Sequence, residues 1–91
     1  MKKIEVDVLL DGPSCPFLKL PTRRFPGILV QGDSYFTIAS RVAKAKEVLS
    51  DGDAKEAGEI LEDLNEDLQG MLGLYEDALR ANDIRLPYFK R

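Results

Sequence analysis

Arg23 and Arg24 stand side by side in Leu20-Pro21-Thr22-Arg23-Arg24-Phe25-Pro26-Gly27, and a polar corner, Gln31-Gly32-Asp33-Ser34, follows four residues later. Guanidinium groups present planar forks of donors that match a carboxylate or a phosphate. The free amides at the start of a following helix add to such a site. Arg23, Arg24, Phe25, Gln31, Asp33 and Ser34 are therefore the candidate site for an anion or a protein partner. The competing reading is structural: the arginines pair with acids of a later helix, within the chain or across a dimer.

Other chemistry is excluded by residue type. The chain has no histidine, so Ser-His and Cys-His nucleophilic sites and histidine-ligated zinc are out of reach. Cys15 is the lone cysteine and lacks an activating base, which makes it a passive thiol. Gly27-x-x-x-x-Gly32 has the spacing of a phosphate-binding loop, but its interior is an apolar strand and Asp33 replaces the lysine that meets the phosphate. Asp51, Asp53 and Glu62 fit three positions of a calcium loop, while Lys55 and Glu56 occupy positions that need a ligand and a glycine. Glu59, Glu62, Asp63, Glu66 and Asp67 lack the Glu-x-x-His element of a di-metal cluster and read as a solvated helix face. No catalytic residue, metal or cofactor is expected, and the chain is not expected to be an enzyme.

The elements that position these residues follow from periodicity. Ile4, Val6, Val8 and Leu10 alternate with Glu5, Asp7 and Leu9, the pattern of a half-buried strand over about 3–10. Short strands follow at 17–20 and 28–31, separated by prolines, with Pro26-Gly27 suited to a type II turn. Pairing Val6 with Leu20 and Val8 with Leu18 puts four apolar side chains on one face, and sets Asp7 beside Lys19 and Leu9 beside Phe17 on the other. The first face is expected to meet the helices.

From 34 to 50 the period becomes helical, with Ile38, Val42, Ala45 and Leu49 as the apolar stripe and Asp33 or Ser34 as the cap. Gly52 suits a left-handed C′ position, and Asp53 with Glu56 forms a capping box. A long second helix over 54–82 carries a heptad seam, Ala57, Leu61, Leu64, Leu68, Met71, Tyr75 and Ala78. Gly70 marks a potential kink. The tail, 83–91, is too apolar to be free, and Ile84 and Leu86 are expected to dock. The fold class is thus α+β: one domain over 1–91, with a small antiparallel sheet of about three strands packed on a two-helix hairpin whose second helix is long.

Charge is unevenly distributed. Residues 1–46 hold eight bases and four acids, and 47–91 hold five bases and twelve acids, for a net charge of −3. No long basic stripe displaces counterions, so nucleic-acid binding is not expected. No apolar run approaches the ~20 residues of a bilayer span, and Glu5 and Asp7 interrupt any signal-peptide core. With one cysteine, a reducing cytoplasm is the expected location.

The block from Leu20 to Ser34 resembles a family of small, functionally uncharacterised bacterial proteins. Their pattern is Leu-Pro-x-Arg-Arg-Phe-Pro-Gly, three apolar residues and Gln-Gly-Asp-Ser/Thr, with a short first strand, a leucine-rich helical segment and a Leu-Pro-Tyr tail. Leu86-Pro87-Tyr88 supplies the tail here. The resemblance implies no activity. The expectation is a non-catalytic interaction protein that self-associates, a dimer above other states. Met71, Leu72, Leu74, Tyr75 and Leu79, on the second helix beyond the reach of the first, are the expected interface. Two rivals are an immunity- or antitoxin-like inhibitor using the acidic second helix, and a small anion-binding or enzymatic module at Arg23, Arg24, Gln31 and Asp33.

Overall fold

The computed structural model describes residues 1–11 and 15–90. Gly12, Pro13 and Ser14 of the expected first loop lie outside the described residues. Three strands, β1 (Asp7–Leu10), β2 (Phe17–Lys19) and β3 (Gly27–Ile28), form an antiparallel sheet in the order β1-β2-β3. Two helices follow, α1 (Gly32–Ser50) and α2 (Ala54–Ala81). The fold is a small α+β arrangement with a long second helix. The chain forms two compact units, Met1–Val30 with Leu72–Arg91, and Gln31–Met71, so α2 contributes to both.

In the first unit, Asp7 opposes Lys19 and Val8 opposes Leu18, the expected register, but an irregularity between Val8 and Leu10 sets Leu10 rather than Leu9 opposite Phe17. The expected face assignment is inverted. Phe17 is 1% exposed and Leu9 half-buried, whereas Val8 is 56% exposed. An aromatic ring removes more apolar area from water than a valine, so the face bearing Phe17 turns inward. There its ring meets Tyr75 of α2 edge-on, with centroids 5.5 Å apart. The strands are also shorter than the periodicity suggests: 3–6 and 29–31 lie outside them, although Leu29 N–H still donates to the Pro16 carbonyl at 2.9 Å. The turn after β2 falls at Pro21-Thr22 rather than Pro26-Gly27, closed by Arg23 N–H donating to the Leu20 carbonyl at 3.2 Å. Proline presets φ for the first central position of such a turn.

The second unit is a helical hairpin of α1 and residues 54–71 of α2. Helix α1 starts at Gly32, with Gln31 as N-cap and no side chain capping it, so neither Asp33 nor Ser34 has the expected role. Asp33 Oδ1 instead accepts from the adjacent Ser34 N–H. At the other end Gly52, at φ +90°, closes a Schellman motif: its N–H donates to Leu49 O, and Asp53 N–H donates to Val48 O. Asp53 Oδ1 caps α2 by accepting from Glu56 N–H at 3.0 Å. Of the expected α1 stripe, Ala45 is buried and Ile38 half-buried, whereas Val42 and Leu49 are exposed and Val48 is buried in place of Leu49. Half-buried Arg41 lies on the same side as Ala45 and Val48, and its guanidinium reaches Asp67 of α2 at 2.7 Å. Helix α2 runs unbroken through Gly70, and a methyl group added at Gly58, Gly70 or Gly73 meets nothing within 4 Å, so these glycines do not serve close packing.

Candidate functional site

Two segments far apart in sequence meet at one cleft in the first unit. Arg24 and Phe25 come from the Arg-Arg-Phe-Pro-Gly block, and Arg85, Leu86, Pro87, Tyr88 and Phe89 from the tail. The cleft encloses about 420 Å³ and opens to solvent. The Arg-Arg-Phe part of the pattern and its Leu-Pro-Tyr tail thus line the same hollow, and the Gln-Gly-Asp-Ser part does not. A second, apolar hollow of similar size is lined by Arg24 and Phe25 together with Leu20, Arg23 and Gly27.

Each wall is fixed to α2 by a buried polar contact. Tyr75 O–H donates to the Pro26 carbonyl at 2.6 Å, which pins the chain just after Phe25. Burial raises the Tyr75 pKa, so the phenol remains a donor. On the other wall, the buried carboxylate of Glu76 accepts from Tyr88 O–H at 2.8 Å and from Lys90 Nζ at 2.9 Å. The Lys90 and Tyr88 hydrogen bonds lower the Glu76 pKa, and burial opposes them. Burial and the Glu76 carboxylate together push the Tyr88 phenol up to about 12. Ile84 and Leu86 are half-buried and Phe89 is almost fully exposed. The tail is thus held by an acid–phenol–ammonium clamp in addition to apolar contact.

The arginines are differently disposed. Arg24 lies over the Phe25 ring, 5.3 Å from its centroid. That contact orients the guanidinium plane and leaves its donors unspent. Among the described residues, no carboxylate lies within 4 Å of Arg23, Arg24 or Arg85. Of the acids of α2, Asp67 pairs with Arg41, Glu76 with Lys90 and Asp77 with Arg80. The cleft lining therefore combines two arginines, Arg24 and Arg85, with three aromatic residues, Phe25, Tyr88 and Phe89, a composition able to hold an anionic group by charge-assisted hydrogen bonds. Among the described residues no group of three or more histidine, cysteine or acidic side chains could hold a metal ion.

The six candidate residues of the sequence are divided between the units. Arg23, Arg24 and Phe25 belong to the first, and Gln31, Asp33 and Ser34 to the second. Arg85 and Glu76 were not singled out by sequence. Arg85 follows a helix end like many surface arginines, and Glu76 is one acid among many on α2. The available signal was the adjoining Leu86-Pro87-Tyr88, which needs an acceptor for its phenol. Of the expected interface residues, Tyr75 and Leu79 are buried within their own chain, Met71 and Leu72 are half-buried, and Leu74 is exposed. Tyr75 and Leu79 are therefore withdrawn from that surface by the inward-turned sheet face.

The chain is a small α+β protein of a three-stranded antiparallel sheet and two helices. Residues 1–88 match a family of unknown function, DUF6959, and the chain belongs to that family. No curated protein and no solved structure matches it. Among the described residues, no helix is long and apolar enough to cross a membrane.

Proposed function

We propose that the chain is a non-catalytic interaction module of the cytoplasm, and that the cleft between Arg24 and Arg85 is its recognition site for an acidic segment of a protein partner. The observation that carries this reading is the pair of arginines without carboxylate partners among the described residues, set on two walls that α2 holds in place. Arginine flanked by rings is the composition of energetically dominant interface sites, and an open cleft suits an extended peptide carrying one or two acids. The absence of histidine and of an activated thiol supports binding over catalysis. The divided basic block supports a local anion site rather than a nucleic-acid surface.

Fluorescence anisotropy of a labelled glutamate-rich peptide ending in a free phenylalanine carboxylate tests the reading. Binding is expected to weaken about tenfold for Arg24→Ala and for Arg85→Ala, since each removes charge-assisted hydrogen bonds, and to weaken further with salt. No binding at millimolar protein, or equal binding by the double variant, would overturn it.

A further inference from the structure

The hairpin unit carries an apolar surface of its own. Tyr35, Val42 and Leu49 recur every seven residues on α1, and Leu61 and Leu68 do so on α2. Their exposures are 64, 47 and 56%, and 49 and 40%. On α1 this column lies beside the buried Ala45 and Val48, and on α2 beside the buried Ala57 and Leu64. In an antiparallel hairpin, columns displaced in the same rotational sense from the shared seam fall on one side of the pair. Val42, Leu49 and Leu61 accordingly line one shallow groove with Ala45, Lys46 and Ala57. The column amounts to roughly 500 Å² of apolar side chain, at the upper end of what a monomer leaves open.

We infer that this groove is covered by the same groove of a second copy, giving a four-helix bundle in which α1 of each copy lies on α2 of the other. Charge selects the occupant and its orientation. Helix α1 carries Arg41, Lys44 and Lys46 against Asp33 and Glu47, a small positive excess. Residues 54–71 of α2 carry Lys55 against Glu56, Glu59, Glu62, Asp63, Glu66 and Asp67. A two-fold axis across the helices would stack α2 on α2 and set these acids together. An axis along the helices stacks α1 on α2 and brings opposite charges together. The Arg41–Asp67 pair fixes which levels of the two helices lie side by side. By the same offset Lys46 is level with Glu62. The parallel axis therefore sets Lys46 of one copy against Glu62 of the other, twice. With this rim the covered area approaches the ~800 Å² per partner of stable interfaces. The surface is separate from the arginine cleft, and the two readings stand or fall independently.

Light scattering at about 100 µM, well above the dissociation constants typical of interfaces this size, is expected to give twice the 10.2 kDa chain mass. Leu61→Glu is expected to halve that mass with helical circular dichroism retained, since the side chain is exposed within its own chain. Lys46→Glu and Glu62→Lys are each expected to weaken association about tenfold, and the double variant to recover it. A monomeric wild type, or a dimer indifferent to Leu61→Glu, overturns the groove as the interface. A double variant weaker than either single one overturns the stacking of α1 on α2.

Discussion

In the sheet unit Phe17 and Leu79 are almost wholly removed from solvent, and Tyr75 both packs on Phe17 and hydrogen-bonds to Pro26. The hairpin unit buries Ala45, Val48, Ala57 and Leu64, and leaves Tyr35, Val42, Leu49 and Leu61 outside. One unit thus closes on aromatic rings and tied polar groups, and the other on aliphatic side chains alone, two of them alanines. The difference follows from partners. The sheet unit brings a strand face, a helix end and a tail to one point, three surfaces that can enclose a ring. Two helices alone enclose only a line, and the apolar side chains beside that line stay on the flank.

The largest expected effect breaks this comparison directly. Phe17→Ala is expected to lose about 3–5 kcal/mol and Leu79→Ala about 2–5 kcal/mol, the cost of emptying a fully packed site. Val48→Ala in the hairpin removes two methyl groups and is expected to lose roughly 2 kcal/mol. Urea unfolding at concentrations low enough to keep the chain monomeric measures all three. Equal losses would show that the hairpin carries as much packing as the sheet unit.

A smaller effect separates the units by pH. The Glu76 carboxyl titrates below its ordinary range because of Lys90 and Tyr88. A lowered folded pKa means that the contribution is present above the unfolded value of about 4.3 and is lost as pH falls through the folded one. Tyr88, raised to about 12, behaves oppositely: its contribution is present below the unfolded value and is lost as pH rises towards 12. The tail should therefore detach at both extremes, and the Tyr88 ring resonances should move towards those of a free tyrosine in acid, where its contact with Glu76 is lost. Glu76→Gln should abolish the acid step, because no charge remains to be lost. An unchanged acid step in that variant would place its origin elsewhere.

How much of this was legible in the sequence depended on whether the signal was local. Gly52, Asp53 and the span of α2 were readable because caps and helical period involve neighbours only. The pairing of Asp7 with Lys19 and Val8 with Leu18 was readable from alternation, but which face turns inward was not. That choice depends on Tyr75, distant in sequence, whose ring stands at 85° to that of Phe17. Half of the α1 stripe was legible: Ala45 is buried and Ile38 half-buried, whereas Val42 and Leu49 face out and Val48 lies inside, on the side that Arg41 marks with a charge. The site was half legible. Arg24 and Phe25 stand out by composition, but Arg85 joins them only because Glu76 holds the tail. Long-range polar anchors of this kind leave no periodic trace.

The finest comparison is between the two helix ends. Both close with the same hydrogen-bond pair. After α1, Gly52 and Asp53 N–H groups reach Leu49 and Val48; after α2, Asp83 and Ile84 N–H groups reach Arg80 and Leu79 at 3.1 and 2.9 Å. In each case the C′ residue has a left-handed backbone, but Gly52 holds φ +90° at no steric cost, whereas Asp83 holds φ 57° with a side chain. Asp83 also places a negative charge at the helix C-terminus, where the macrodipole disfavours it. Asp83→Gly removes both costs and gives back some unfolded-state entropy, for an expected net gain of about 0.5–1 kcal/mol. Asp83→Asn removes only the charge and is expected to gain about half as much. Conversely, Gly52→Ala should lose about 1 kcal/mol. A Cβ at Gly52 meets nothing within 4 Å, so that loss is purely backbone strain. Thermal unfolding ranks the variants. If Asp83→Gly lowers stability, the carboxylate makes a contribution at the helix end that outweighs its strained backbone, and the two ends are not equivalent closures.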